Sequence, residues 1–271
     1  MRLRIVAPMV LVLAFVASGV AVVGIPTPPA GAAADCGAPA GRLVNWAGCD
    51  KRGLDLRGAN LAEANLRGTD LTGTDLTDAK LGGATMRDVN WRDAHLAGAD
   101  LGYANLSDAH LIDAQLGGAD LSSATLRYTN LDGATLNGAT LQGADMYPSR
   151  LVDAQLKRAR MRGANLKRAN LTGANLSGAL LTDGANLTGT DLTRANLTNV
   201  NLTGADLTQG DLTGANLTNV NLTGARMTYA DLTGANLTGA NLTGTNLGDA
   251  KCTDRTIWPD GKAREDSSCP R

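Results

Sequence analysis

His95 and His110 are the chain's only imidazoles, so a general base, a Ser–His nucleophile or a His-ligated metal would have to be built on one of them. Each stands directly before a large apolar residue, Leu96 and Leu111, with no cysteine or carboxylate cluster at ligand spacing. No serine is paired with a histidine and a carboxylate, and no glycine-rich phosphate loop separates a strand from a helix. The expected reading is two solvated histidines, with no catalytic residue, cofactor, metal or small-molecule substrate. Two other groups have chemistry to offer. Cys36, Cys49, Cys252 and Cys269 sit near the two ends of the chain, and four cysteines allow three pairings. Arg150, Lys157, Arg158, Arg160, Arg162, Lys167 and Arg168 place seven cations within 19 residues, which suits an anionic partner such as an envelope polymer or lipid headgroup, or simply keeps a surface solvated.

The elements that must carry these residues follow from a five-residue beat. From Leu56 to Leu247 a Leu, Met or Trp recurs at every fifth position, 39 times in all, with Ala, Thr or Val almost always two residues earlier. The exceptions to Leu are Met86, Trp91, Met146, Met161 and Met227. Neither the helical period of about 3.6 nor the strand period of 2 keeps these residues on one face. A short extended piece plus a turn does: the small residue and the Leu point inward, the Asn or Asp between them points out, and two residues turn the corner. Gly is frequent at the corner because it tolerates positive φ. Stacked units put Leu over Leu and Ala over Ala at about 4.8 Å, which makes a β-solenoid. The beat slips at Leu181, where the next centre is Leu187; Gly184 or Asp183 is expected to bulge out, leaving Leu180 on the surface.

Units such as Ala99-Asp100-Leu101, Ala164-Asn165-Leu166 and Ala205-Asp206-Leu207 resemble the A(D/N)LXX signature of the pentapeptide repeat family. The resemblance extends over roughly three quarters of the chain. It implies an all-β fold, a right-handed four-sided parallel β-helix with about 20 residues per coil and about ten coils, about 48 Å long. On that rod the cations would ring one coil. Its thin Leu and Ala interior has no room for a substrate.

A rod of this length excludes two of the three cysteine pairings, because bonded Cα atoms must lie within about 7 Å. Cys36–Cys49 and Cys252–Cys269 remain, each stapling a cap over an open edge. The segment from Cys252 through Trp258-Pro259-Asp260-Gly261 to Cys269 resembles the closing hairpin of some secreted members of the family. The domain reading is 1–34 signal peptide, 35–53 N-terminal disulfide cap, 54–252 solenoid and 253–271 C-terminal disulfide cap. Arg2 and Arg4, the apolar run Ile5–Val23 and Ala32-Ala33-Ala34 before Asp35 fit a cleavable secretory leader, with an uncleaved anchor as the alternative. Asp35 before Cys36 argues against a lipoprotein. Disulfides and leader together point to a secreted or cell-envelope location.

Full-length net charge is −1; loss of Arg2 and Arg4 with the leader leaves 23 basic against 26 acidic residues, a net −3. That balance speaks against a strongly basic nucleic-acid binder and lends nothing to a polyanionic mimic. Some cytosolic family members mimic DNA and act on type II topoisomerases; this chain departs from them in its leader and in an outward row richer in Asn than in Asp. From Leu171 onward the outer surface is nearly neutral, with Thr188, Thr193, Thr198, Thr203, Thr213, Thr223, Thr233, Thr238 and Thr243 after the centres. Stacked, they form Thr ladders that an ice or glycan surface could meet, or they simply suit turns. Tyr103, Tyr128, Tyr147 and Tyr229 fall at turn positions. The expected function is a non-enzymatic exported scaffold presenting its surface to a protein or envelope polymer. The alternatives are a topoisomerase-directed DNA mimic retained in the cytosol, and an ice- or glycan-binding Thr/Asn ladder.

Overall fold

The computed structural model describes residues 33–264 and Cys269. The leader expected at 1–34 therefore lies almost wholly outside the described residues. Among those residues, no helix is long and apolar enough to cross a membrane.

One unit shows how the sequence makes the coil. Ala64 and Leu66 are both fully buried and Asn65 between them is half-buried, as strand alternation requires. The Ala64 N–H donates to the Leu61 carbonyl at 3.1 Å, closing a turn over Ala62 and Glu63. Leu61, Glu63 and Asn65 donate their N–H groups to Lys80, Gly82 and Val44 on neighbouring coils, at 2.7, 3.0 and 2.9 Å. This unit thus satisfies its backbone within itself or with the coils on either side.

Parallel bridges join Asn45 to Asn65, Asp50 to Asp70, Asp55 to Asp75 and Asn60 to Lys80, and the same register of 20 residues continues along the chain except where a coil carries one extra residue and the step is 21, as from Asn165 to Asn186 and from Asn236 to Ile257. Four five-residue sides per coil follow. The first side runs through Leu66, Leu106 and Leu166, the second through Leu71, Leu111 and Leu151, the third through Leu76, Leu116 and Leu156, and the fourth through Leu81, Leu121 and Met161. Each corner takes the number of the side it follows. The inner columns of Leu, Met and Ala are continuous and buried, and Trp91 sits among them without breaking the register of its neighbours.

The solenoid limits expected at 54 and 252 are too tight. Bridges begin at Asn45 and run to Ile257, and Trp46 and Trp258 occupy central positions, each 1% exposed. Trp46 was hidden from the beat because the next centre is Lys51, whose Nζ lies 4.1 Å over the Trp46 ring. Trp258 was hidden by a second slip, beyond the beat that ends at Leu247: it stands six residues after Cys252. At the first slip the expected bulge is present: Asp183 and Gly184 both take positive φ, 57° and 75°, and Leu180 is 39% exposed.

Both ends are closed alike. Cys36–Cys49 and Cys252–Cys269 are disulfide-bonded, with Cα atoms 5.5 and 5.6 Å apart, and no cysteine is free. A tryptophan plugs each end, and a cation covers its ring, Lys51 over Trp46 and Arg264 over Trp258.

Candidate binding surface

A filled interior leaves sides and corners as the surfaces that meet solvent. The corner residue two places after each centre from Leu56 to Leu247, Pro148 after Met146 excepted, takes the left-handed conformation, which is why Gly is so common there and Asp or Asn next. Arg158 and Arg168 both occupy it, each at φ 56°.

The seven belt cations are spread around the coil. Arg150 is on the second side, Lys157 and Arg158 on the third corner, Arg160 on the fourth side, Arg162 on the fourth corner, and Lys167 and Arg168 on the first corner. They are not equivalent. Arg150 holds Asp132 at 2.8 Å, and Arg162 holds Asp183 through Nε at 2.6 Å. Lys157, Arg158, Arg160, Lys167 and Arg168 form no ion pair among the described residues. An open groove of about 530 Å³ lies at the third corner, lined by Asn137, Gly138, Lys157, Arg158 and Ser177. These residues belong to three successive coils.

The first corner differs in character. Tyr128 and Tyr147 meet edge to face at 6.5 Å, and the Arg127 guanidinium lies 5.2 Å over the Tyr147 ring while reaching Asp145 at 3.6 Å. Pro148 has no N–H to give, and Tyr128 donates none to the next coil, so the ladder lacks rungs there.

The threonines do not form one flat array. Thr188 follows the first side, Thr193, Thr213 and Thr233 the second, Thr198 and Thr238 the third, and Thr203, Thr223 and Thr243 the fourth. Thr208, Thr218 and Thr228, which the sequence reading passed over, complete the first and third columns. Many hydroxyls are already engaged: Thr198, Thr203, Thr223, Thr238 and Thr243 each donate to the Asn two residues earlier at 2.6 or 2.7 Å. Four short columns of largely bonded hydroxyls are a poor match for a planar lattice.

His95 and His110 are exposed, on the third and second sides. Among the described residues no group of His, Cys, Asp or Glu is arranged to hold a metal. Near the N-terminal end, Arg52 pairs with Asp50 and Arg57 with Asp55, both at 2.6 Å. Hydrogen bonds from these arginine side chains, then from their backbone N–H groups, pull each carboxyl down to about 2.

The pentapeptide repeats family model matches in eight copies whose spans run from 55 to 251. HetL, a pentapeptide repeat protein involved in heterocyst differentiation regulation from the cyanobacterium Nostoc sp. strain PCC 7120, is 35% identical. That match covers 82% of this chain and 92% of HetL, with a TM-score of 0.43. AT2G44920, a pentapeptide repeat protein from the Arabidopsis thaliana thylakoid lumen, is 36% identical over 40% of this chain and 71% of its own, with a TM-score of 0.25. QnrB1, a plasmid-mediated fluoroquinolone resistance protein, is 17% identical over 73% of this chain and 89% of its own, with a TM-score of 0.40. No curated protein sequence matches the chain.

Proposed function

The chain belongs to the pentapeptide repeat family, and from that premise we propose that it is an exported, non-enzymatic scaffold whose outer surface binds a protein or an envelope polymer. The observation that carries export is the pair of end disulfides, Cys36–Cys49 and Cys252–Cys269, which persist in an oxidising compartment and not in a reducing one. Binding by the outer surface is supported by inner columns packed with Leu and Ala, which leave recognition to sides and corners. In this reading residues 1–34 are a cleaved leader, and the segments before and after the coils are caps that protect open β edges. The Asn- and Thr-rich coils after Leu187 serve as a spacer with few charges.

The test is intact mass, with and without reduction, of the protein recovered from fractionated native cells. The expected species starts at Asp35, comes from outside the cytoplasm and gains about four hydrogens on reduction, two per disulfide. A full-length cytosolic species whose mass reduction leaves unchanged overturns the reading and makes a topoisomerase-directed mimic the next function to assay.

A further inference from the structure

We propose that the third-corner groove, with Lys157, Arg158 and Arg160, is a binding site for a linear phosphate-bearing polymer. The site narrows the envelope-polymer arm of the function proposed above to one corner of one coil.

Three observations converge there. Lys157, Arg158 and Arg160 fall within four residues, and none has an ion-pair partner among the described residues. Their own belt shows that pairing is available in this fold: Arg150 reaches back to Asp132 and Arg162 forward to Asp183. Carboxylates are also missing from the surroundings. On the third side, third corner and fourth side, the stretches 135–142, 155–160, 175–180 and 196–201 contain no Asp or Glu. The nearest acids lie around the edges: Asp132 and Asp183 are already paired, while Asp153 stands on the second corner and Asp120 two coils below Arg160. Finally, the two unpaired corner cations line a groove instead of a convex edge. Arg158 stands between Gly138 and Gly178, so no side chain rises on either side of it in its own column, and its stem passes over Gly178.

Three like charges in one low-acid patch repel one another, and an arriving polyanion relieves that repulsion while releasing its own counterions. An arginine fork and a lysine point charge suit phosphate oxygens. Asn137 and Ser177 add polar groups on the coils below and above. The groove extends over three coils, about 10 Å along the axis, room for one or two phosphate groups of a chain passing over an open surface. A bilayer is the poorer occupant, because the one large apolar side chain beside the cations is Leu180, stacked on Arg160. A single-stranded nucleic acid would call for stacking rings, and none of the exposed tyrosines lies on this corner: Tyr128 and Tyr229 are on the first, Tyr103 on the fourth.

Two matched variants test it in the disulfide-bonded full chain. Arg158→Gly and Arg168→Gly each remove one unpaired arginine from the same backbone conformation, φ 56°, and glycine accepts that conformation, so both variants should fold. The probe is fluorescently labelled poly(glycerol phosphate), titrated by anisotropy at several salt concentrations. Arg158→Gly is expected to weaken binding about tenfold and flatten the salt slope by about one, while Arg168→Gly changes the affinity less than about twofold. Equal losses in the two variants overturn the site in favour of diffuse attraction to the whole belt, and no binding by the parent chain overturns it outright. Tighter binding to phosphatidylglycerol vesicles or to single-stranded DNA replaces the polymer with a membrane or a nucleic acid. Finding the protein in the cytosol would sink export yet leave this titration to stand or fall by its own result.

Discussion

At the scale of the residue, an Asn placed before a centre acts as a local acceptor that shapes the turn. Asn221 Oδ1 takes the Thr223 N–H at 3.1 Å and the Thr223 hydroxyl at 2.7 Å, and the same pair of bonds recurs at Asn201 and Asn236. Asn221→Ala should therefore cost about 1 kcal/mol, whereas Asn221→Asp should be close to neutral, since Asp231 already accepts the Thr233 N–H at 2.9 Å. Thr223→Val removes a donor but leaves the backbone bond, and should cost less than half as much as Asn221→Ala. Thermal midpoints of the three variants decide the order; a Thr223→Val loss larger than the Asn221→Ala loss would refute it. That Asn and Thr suit turns was legible in the sequence. The closed bond between them was not, because a sequence displays residue types and not where a hydroxyl points. Nor does a sequence display which threonines share a column: the stacking register deals Thr188 to Thr243 out to four corners.

At the scale of the element, caps and slips decide where order ends. Replacing Cys36 and Cys49 by Ser releases a loop of 13 residues' separation and should cost about 3 kcal/mol by chain entropy. A coil contacts only its neighbours, so the loss should appear as faster amide exchange around Trp46 to Leu66 with little change near Leu166. Uniformly faster exchange would show a chain more cooperative than a solenoid should be. The same end should respond to acid. Asp50 and Asp55 sit near 2 in the folded chain, below the ordinary value near 4, so their contribution is present above about pH 4 and fades as pH falls toward 2. Unfolding followed from pH 5 to pH 2 should show N-terminal fraying that Asp50→Asn and Asp55→Asn, made together, render less dependent on pH, with Asp75, whose carboxyl Thr77 also holds low, keeping a share. Both terminal misreadings have one physical cause. A repeat is recognised by its neighbours, and at an end the neighbour is a cap: Val44-Asn45-Trp46 is a regular unit, but Lys51 follows it, while Thr256-Ile257-Trp258 is regular but displaced by one residue.

At the scale of the whole molecule, the beat is enough to specify the solenoid, because each unit repeats the same inward pair and the same turn, and 20-residue stacking repeats the pairing. It is not enough to specify the site. Arg150–Asp132 and Arg162–Asp183 join residues 18 and 21 apart, so which cations stay unpaired depends on how coils stack and cannot be read from a run of charges. The same logic yields a test of the architecture. Excising residues 203–222 removes one full register of 20, leaves Leu202 followed by Thr223, and returns every inward column to its own kind. The shortened chain should fold, lose about 4.8 Å of length by small-angle scattering and drop only about 5 °C in midpoint, because one coil and one interface have gone. Excising 203–225 instead takes three further residues, shifts every later inward Leu out of its column and should leave the C-terminal coils unprotected in hydrogen exchange. If both deletions were tolerated equally, the inward columns would not be setting the fold.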